Sequence, residues 1–201
     1  MDWLCRIRGD WFFQNGLFGD SIIATIVRLW NGWHCGEKGS KTMRRKDREV
    51  TDLNGIFEIV ERCNTVHMGM VEDGKPYVVA LNFGYERKGD TLVLYFHSAH
   101  EGHKMDILKE NPNVYFQMDC VNEFITGSRE NPCAYCWRYD SVMGSGEVEF
   151  IAAEAEKAHA LNCIIGHLGK IDDTFEFSEE SLKNTCVYRL CSTDITGKHH
   201  E

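Results

Sequence analysis

The chain has 201 residues, enough for one well-packed core and at most a small appendage. Its 43% hydrophobic and 26% charged residues are ordinary for a globular protein. The formal net charge of −9 argues against a general nucleic-acid-binding or anionic-membrane surface, so an anionic ligand would need a local positive site.

The nine cysteines are odd in number and follow no spacing typical of a disulfide framework. Because no secretion signal precedes them, we predict a reducing, cytoplasmic environment. Cys133 and Cys136 form a lone C-x-x-C, which we interpret as incidental loop residues. Use of this pair for metal binding or redox chemistry remains the alternative.

Residues 1–42 differ from the rest, because they contain four of the five tryptophans and show no persistent periodicity. Their apolar stretch, residues 17–30, is too short and too charged to span a membrane. We predict that 1–42 is an extra N-terminal segment outside the fold, that the domain occupies 43–201, and that Met43 is the biological start. A helix at 21–30 docked on the domain is the rival interpretation.

A basic arm, residues 43–49, leads into a predicted helix whose N-cap is Thr51 or Asp52. The apolar residues of this helix follow helical spacing: Ile56, Ile59, Val60 and Cys63. The arm itself has the composition of a solvated leader.

Short strand patterns dominate the remaining chain, separated by turn residues such as Asp73-Gly74. The predicted strands are residues 65–72, 77–85, 91–98, 114–121, 139–151 and 184–195. The predicted helices are 102–110 and 153–168, the latter with Ala158, Leu161, Ile165 and Leu168 on one face. Residues 122–137 are predicted to be a long loop, and the last four residues before Glu201 have the composition of a frayed tail. The pattern favours an α+β domain built on a small antiparallel β-barrel.

The most informative stretch for function is residues 91–108, where a predicted strand leads into a predicted helix. Its first half is apolar on both strand faces, whereas at Ser98 it becomes small and polar and then turns helical. Gly102, His103 and Lys104 therefore fall at a helix N-terminus, where free backbone N–H groups and the helix dipole favour an anion. A cation there opposes the dipole unless a bound phosphate compensates it. Neutralisation of Lys104 by Glu101 and Asp106 at a wet surface is an equally open alternative.

The stretch YFHSAHEGHKMDIL resembles the phosphate-binding segment of the pyridoxamine 5'-phosphate oxidase-like, FMN-binding split-barrel flavoproteins, and within them the nitroimidazole-resistance (Nim) branch. Further similar blocks follow the family's order: MRRKDREVTD, GKPYVVALNFGY, YDSVMGSGEVEFI and ITGK. The similarity covers residues 43–198. It implies a split β-barrel with a few peripheral helices, FMN as cofactor, and a homodimer with the cofactor at the subunit interface.

The resemblance also implies which residues contact FMN. Those on the phosphate side are Ser98, Ala99, Gly102, His103 and Lys104. Those near the flavin ring or ribityl chain are Val79, Ala80, Leu81, Asn82, His97, Ser141, Val142 and, from the neighbouring subunit, Lys198. In the same family, Arg44 and Arg45 lie near the cofactor region. Without the resemblance, residues 77–83 would be interpreted as an ordinary core strand.

His97 is the candidate catalytic residue, because in the Nim-like branch the histidine of the FHSA motif faces the flavin and the substrate space. A titratable group beside a redox ring can pass protons during two-electron reduction. The spacing of His97, His100 and His103 also resembles a metal site, but no carboxylate or cysteine pattern completes it, so we predict no metal.

The resulting hypothesis is an FMN-dependent oxidoreductase of the Nim type that acts on a small molecule such as a nitro-aromatic compound. Two alternatives remain. Oxidation of pyridoxamine 5'-phosphate would need a second arginine and histidine cluster near the C-terminus, and no arginine follows Arg189. A non-catalytic protein that binds flavin or haem is the other, and no G-x-G-x-x-G fingerprint identifies an electron donor.

Overall fold

The computed structural model describes residues 43–200, so the predictions made for residues 1–42 lie outside the described part of the chain. The strands are β1 (Glu49–Val50), β2 (Val66–Glu72), β3 (Lys75–Leu81), β4 (Gly84–Lys88), β5 (Thr91–Ser98), β6 (Asn113–Ile125), β7 (Cys136–Phe150) and β8 (Cys186–His200). The α-helices are α1 (Leu53–Arg62), α2 (His103–Glu110), α3 (Glu154–Gly169) and α4 (Glu179–Asn184). Short 3-10 turns lie at Lys46–Arg48 and Pro132–Ala134.

Seven strands form one antiparallel sheet in the order β3-β2-β6-β7-β8-β5-β4, and β1 pairs with β8. The sheet curls around a core, but its two edge strands, β3 and β4, do not pair with each other. The predicted α+β split barrel with a few peripheral helices is confirmed.

The main core fills the inside of the curled sheet and is closed by α1 and α2. It contains buried side chains from most strands, among them Met68, Leu94, Phe116 and Tyr188. Helix α1 buries Ile56, Ile59 and Val60, followed by Cys63, as its spacing predicts, and Asp52 caps the helix by accepting a hydrogen bond from the Gly55 N–H at 3.0 Å.

A second, smaller core lies between the sheet and α3. The buried face of α3 consists of Ala160, Ile164 and His167. Of the residues predicted on one face, Leu161 and Leu168 pack partly against this core, whereas Ala158 and Ile165 do not belong to it, so the buried face is offset from the predicted one. The helix lies directly on Gly84 of β4, where a Cβ would be 2.4 Å from the Ile164 nitrogen. The periodicity of the helix contains no sign of this contact.

Three predicted boundaries were also wrong. The strand expected at 77–85 is two strands, β3 and β4, which lie at opposite edges of the sheet because the chain crosses at Asn82 and the fully buried Phe83. Strands β6 and β7 extend into the predicted loop and leave only 126–135 between them. Strand β8 continues to His200, so the residues before Glu201 are paired rather than frayed. No helix among the described residues is long and apolar enough to cross a lipid bilayer.

Candidate functional site at the β5–α2 junction

The loop between β5 and α2 is folded by its own side chains. Ser98, the last residue of β5, pairs with Cys186 of β8. Its hydroxyl donates to the Ala99 carbonyl at 2.8 Å and lies 3.2 Å from the Met105 sulfur. The loop is therefore tied to the first turn of α2 before any ligand is considered.

Gly102 is the N-cap of α2 and has φ 134° and ψ 154°, a conformation that essentially only glycine adopts. Its carbonyl accepts hydrogen bonds from the N–H groups of Met105 (2.8 Å) and Asp106 (3.2 Å). It has no side chain to cap the helix, and a Cβ at this position would meet no atom within 4 Å. The N–H groups of His103 and Lys104 precede these first hydrogen bonds of α2, so they are the ones that an anion could bind.

Lys104 is half-buried in the first turn of α2. Burial removes water from its ammonium group and lowers its pKa, while the nearby Cys186 thiol opposes that shift. Within residues 43–200, no carboxylate forms an ion pair with it. Neutralisation by Glu101 and Asp106 is therefore not seen, and the cation stands desolvated beside an open helix N-terminus.

His103 connects this junction to the β2–β3 hairpin. Its Nε2 lies 3.3 Å from a Glu72 carboxylate oxygen, and its ring meets Tyr77 edge-on at a centroid distance of 4.9 Å. The structure thereby brings the predicted phosphate segment next to the strand predicted to line the flavin ring.

Strand β3 is an edge strand, so half of its backbone N–H and C=O groups face away from the sheet. The side chains of Val79 and Leu81 pack against the main core, whereas Val78 and Ala80 are exposed on the other face. Asn82 donates its side-chain amide to the Asn64 carbonyl at 3.2 Å. Contacts from Val79 and Leu81 to a ligand at this edge would therefore come chiefly from the backbone.

The residues predicted on β7 and β8 lie in the same transverse row of the sheet. Leu81, Val66, Met118, Val142 and Gly197 pair successively across five strands. Val142 is part of the core. This row places the β7 and β8 residues three and four strands away from β3.

Ser141 and Lys198 pair directly with each other across β7 and β8. The Ser141 hydroxyl is buried and has no hydrogen-bond partner in the described chain. The Lys198 amine contacts the Tyr139 hydroxyl and lies 4.5 Å from the centre of the Tyr139 ring. A buried hydroxyl without a partner costs free energy.

Within one chain, these two groups of residues pair with opposite ends of β8. Ser98 pairs with Cys186 near the start of β8, and Ser141 pairs with Lys198 near its end. Along a fully extended strand, twelve residues would span at most about 40 Å.

The His97 side chain is exposed at the end of β5, and no hydrogen bond or ion pair joins its imidazole to another described residue. The other two histidines of the spacing considered from sequence have different partners. His100 Nε2 lies 2.9 Å from the Lys183 carbonyl, and His103 contacts Glu72. Of the basic arm, Arg45 is held by Asp47 at 2.6 Å.

Sequence reasoning missed the residue that precedes Ser141. Asp140 is buried and accepts hydrogen bonds from Arg62 at 2.7 Å, from Asn122 at 2.9 Å and from His199. Burial alone would raise the pKa of Asp140, but these hydrogen bonds outweigh burial and lower it. An aspartate inside the apolar alternation YDSVMG was the available signal, yet its partners lie 18 to 78 residues away.

Comparison with known proteins places these features in context. The model of the family described as pyridoxamine 5'-phosphate oxidase matches residues 52–199. The chain is 34% identical to a candidate 5-nitroimidazole antibiotic resistance protein from Bacteroides thetaiotaomicron, with a TM-score of 0.64 over 75% of this chain and 85% of that one. No curated protein matches significantly.

More distant solved structures share the fold. The flavocytochrome Anf3 from Azotobacter vinelandii is 21% identical with a TM-score of 0.65, over 82% of this chain and 75% of that one. An FAD- and haem-binding protein from Mycobacterium smegmatis is 19% identical with a TM-score of 0.63, over 77% and 74%.

Proposed function

The chain belongs to the pyridoxamine 5'-phosphate oxidase family, and from this premise we propose that it is an FMN-binding oxidoreductase of the nitroimidazole-resistance type. The observation that carries the proposal is Lys104, a half-buried cation without a carboxylate partner among the described residues, beside the open N-terminus of α2. A phosphate monoester fits this position because it supplies the missing charge and accepts hydrogen bonds from the free N–H groups.

The surrounding residues fit the rest of the cofactor. The free edge of β3 offers backbone donors and acceptors to a flat heterocycle, and the apolar Val78 and Ala80 lie beside it. Bound FMN would supply two-electron redox chemistry. Reduction of a nitro group to a nitroso group takes up two electrons and two protons and releases water. We propose that the exposed His97 imidazole holds one of these protons.

We further propose that two copies of the chain form the complete site. Lys198 lies twelve residues further along β8 than Cys186, the residue that pairs with Ser98. The position of Lys198 at the other end of this strand is compatible with a homodimer in which Lys198 of one subunit faces the phosphate segment of the other, as the family resemblance implies.

Oxidation of pyridoxamine 5'-phosphate is less well supported. That substrate carries its own phosphate and would need free basic groups near the end of β8. Instead, His199 is bound to Asp140 and His200 Nδ1 lies 2.9 Å from the Trp137 carbonyl, which leaves Lys198, already proposed to contact FMN, as the remaining basic side chain there. We keep a cytoplasmic location as an expectation that rests on the number of cysteines.

The decisive experiment is the absorbance spectrum of the freshly purified full chain, followed by chromatography of whatever heat releases. The expected result is a flavin spectrum and one released compound that comigrates with FMN. A haem spectrum, release of FAD, or a colourless protein that takes up no added FMN would refute the cofactor assignment. Reduction of a nitroimidazole by the FMN-loaded protein with NADH or NADPH then tests the activity, and formation of pyridoxal phosphate with oxygen uptake would favour the alternative.

His97→Gln tests the proton role. The substitution should lower kcat for nitro reduction by about a hundredfold, the usual contribution of a positioned acid or base. The Kd for FMN should stay within about threefold, because the phosphate contacts are unchanged. An unaltered kcat would remove His97 from the mechanism and leave the cofactor assignment standing.

Mixing two variants tests the shared site. Lys104→Ala and Lys198→Ala should each bind FMN weakly as homodimers. When they are unfolded and refolded together, each mixed dimer contains one wild-type site and one doubly altered site, so tight binding should reappear. No recovery, with the mixed dimers shown to form, would place Lys198 outside the site.

A further inference from the structure

Three side chains with metal-ligating atoms meet where α3 lies on β4, and none of them belongs to the proposed cofactor site. They are Glu86, His159 and Cys163, and their donor atoms all lie within 4.8 Å of one another. His159 Nε2 is 2.9 Å from Glu86 Oε1 and 3.6 Å from the Cys163 sulfur. The imidazole nitrogen is thus the centre of the cluster.

Two of the three distances between the donor atoms are close to those of ligands that share one ion, and the third, from Glu86 to the Cys163 sulfur, is within 4.8 Å. In a tetrahedral zinc site, with bonds of about 2.0–2.1 Å to nitrogen and about 2.3 Å to sulfur, the two ligand atoms are about 3.5 Å apart. The His159 to Cys163 distance of 3.6 Å already has this value. The distance from His159 Nε2 to the Glu86 oxygen would have to increase by only a few tenths of an ångström, because nitrogen and oxygen ligands of one zinc ion are about 3.3 Å apart.

The fold holds these ligands in place. His159 and Cys163 are four residues apart and therefore lie on one face of α3. That face meets β4 closely because Gly84 has no side chain in the way. Glu86 projects from β4 toward the helix and contributes the third ligand from a second element.

Two other side chains hold the orientation of the Glu86 carboxylate. Its Oε2 accepts a hydrogen bond from the Tyr95 hydroxyl at 2.6 Å and lies 3.2 Å from the Lys88 amine. This leaves Oε1 directed at His159. Such outer contacts are typical of metal sites, where they fix the orientation of a ligating carboxylate.

A fourth coordination position faces solvent. His159 and Cys163 line a cavity of about 770 Å³ between α3 and residues 171–177. His159 also lines a second cavity of about 400 Å³ with Tyr95 and Arg189. Water or a small ligand can therefore complete a tetrahedral set.

We propose that Glu86, His159 and Cys163 bind one Zn²⁺ ion that fastens α3 to β4. Thiolate and imidazole together favour zinc over magnesium or calcium, which prefer oxygen ligands alone. The Cys163 thiol gives its proton to solvent when it coordinates. The sequence alone predicted no metal, because the residues considered for one were the histidines of the β5–α2 junction and the C-x-x-C pair, and Glu86 is 73 residues from His159.

Cobalt substitution tests the site. The full-length protein is treated with a chelator and titrated with CoCl₂, and difference spectra against the metal-free protein remove the flavin contribution. We expect a thiolate-to-cobalt charge-transfer band that saturates at one ion per chain, that ZnCl₂ displaces, and that Cys163→Ser abolishes. ZnCl₂ should also raise the melting temperature of the wild-type protein but not of Cys163→Ser, because only a folded site binds the ion.

The C-x-x-C pair provides the matched control. The double variant Cys133→Ser/Cys136→Ser should keep the band and its stoichiometry. Tyr95→Phe, which removes only the outer hydrogen bond to Glu86, should weaken Zn²⁺ binding about tenfold. Far-UV circular dichroism checks that Cys163→Ser is folded. A band that persists in folded Cys163→Ser, or that disappears in the C-x-x-C variant, would overturn the proposal.

Discussion

Lys104 and Asp140 are both ionisable groups removed from water, but their surroundings differ. Asp140 is buried on β7 and receives hydrogen bonds from Arg62, Asn122 and His199. Lys104 is half-buried on α2, and no carboxylate in the described chain pairs with it. The pKa of Lys104 is lowered by burial, whereas the pKa of Asp140 is lowered by its partners in spite of burial.

The difference separates a structural charge from a binding one. A buried charge that its own chain compensates stabilises the fold and offers little to a ligand. A desolvated charge without a partner destabilises the ligand-free protein, and binding of an anion removes this destabilisation and so strengthens the binding. Asp140 is the first kind of group, and we propose that Lys104 is the second.

Lys104→Ala should therefore act on the cofactor rather than on the fold. Loss of one hydrogen bond to a charged group costs about 1.5–3 kcal/mol, which is about tenfold to a hundredfold in the Kd for FMN. The free energy of unfolding of the FMN-free protein should stay unchanged or rise slightly, because a desolvated cation is removed. Quenching of FMN fluorescence measures the first quantity and urea denaturation the second.

Lys109→Ala is the matched control, since Lys109 is an exposed cation in the last turn of the same helix. It should change the Kd for FMN by less than about threefold. Equal losses in both variants would mean that FMN senses only the general charge of α2. A large drop in stability of FMN-free Lys104→Ala would make Lys104 structural and erase its contrast with Asp140.

Asp140→Asn should act on the fold. The substitution keeps the shape of the side chain but leaves the Arg62 guanidinium without its carboxylate, which should lower the free energy of unfolding by about 1.5–3 kcal/mol in urea denaturation at pH 7. Glu123→Gln, which breaks the exposed ion pair with Arg138 at 2.6 Å, should cost less than about 1 kcal/mol. Equal costs for the two variants would show that burial of the Asp140 pair adds nothing.

The same pair predicts a dependence on pH. The folded-state pKa of Asp140 is below its ordinary value, so its stabilising effect is present above the unfolded pKa and is lost as the pH falls through the folded one. Below about pH 4, the wild-type protein should lose stability more steeply than Asp140→Asn. Parallel curves of unfolding free energy against pH would show that other carboxyl groups account for the acid sensitivity.

The sequence predicted the elements around Lys104 better than the contacts of Asp140. The β5–α2 junction is local, because the apolar run of β5, the small residues after it and the basic first turn of α2 adjoin in the chain. The Asp140 network joins residues up to 78 positions apart, which no periodicity reveals. Local patterns therefore predicted the strand, the turn and the helix of the β5–α2 junction, and they failed to reveal the partners of the buried carboxylate.

The errors in the fold have the same origin. Hydrophobic periodicity predicted α1 with its buried face, because that face simply covers the core. It misassigned the face of α3, because the contact of that helix with Gly84 depends on a residue 80 positions away. It also joined β3 to β4, since alternation continues through Asn82 although the chain moves there to the other edge of the sheet.

Gly102→Ala tests whether the backbone N–H groups at the start of α2 contribute to phosphate binding beside Lys104. At φ 134° and ψ 154°, a Cβ meets no neighbouring atom, so the penalty is conformational strain alone, about 1–3 kcal/mol. If the start of α2 relaxes to relieve the strain, its N–H groups move away from the phosphate, and the Kd for FMN should rise together with the loss of stability.

Gly89→Ala, at a turn with φ 63° and open space, carries a comparable left-handed penalty of about 1–2 kcal/mol. It should destabilise the protein without changing the Kd for FMN, and a Gly102→Ala protein that binds FMN like the Gly89→Ala protein would show that Lys104 holds the phosphate without the helix N-terminus.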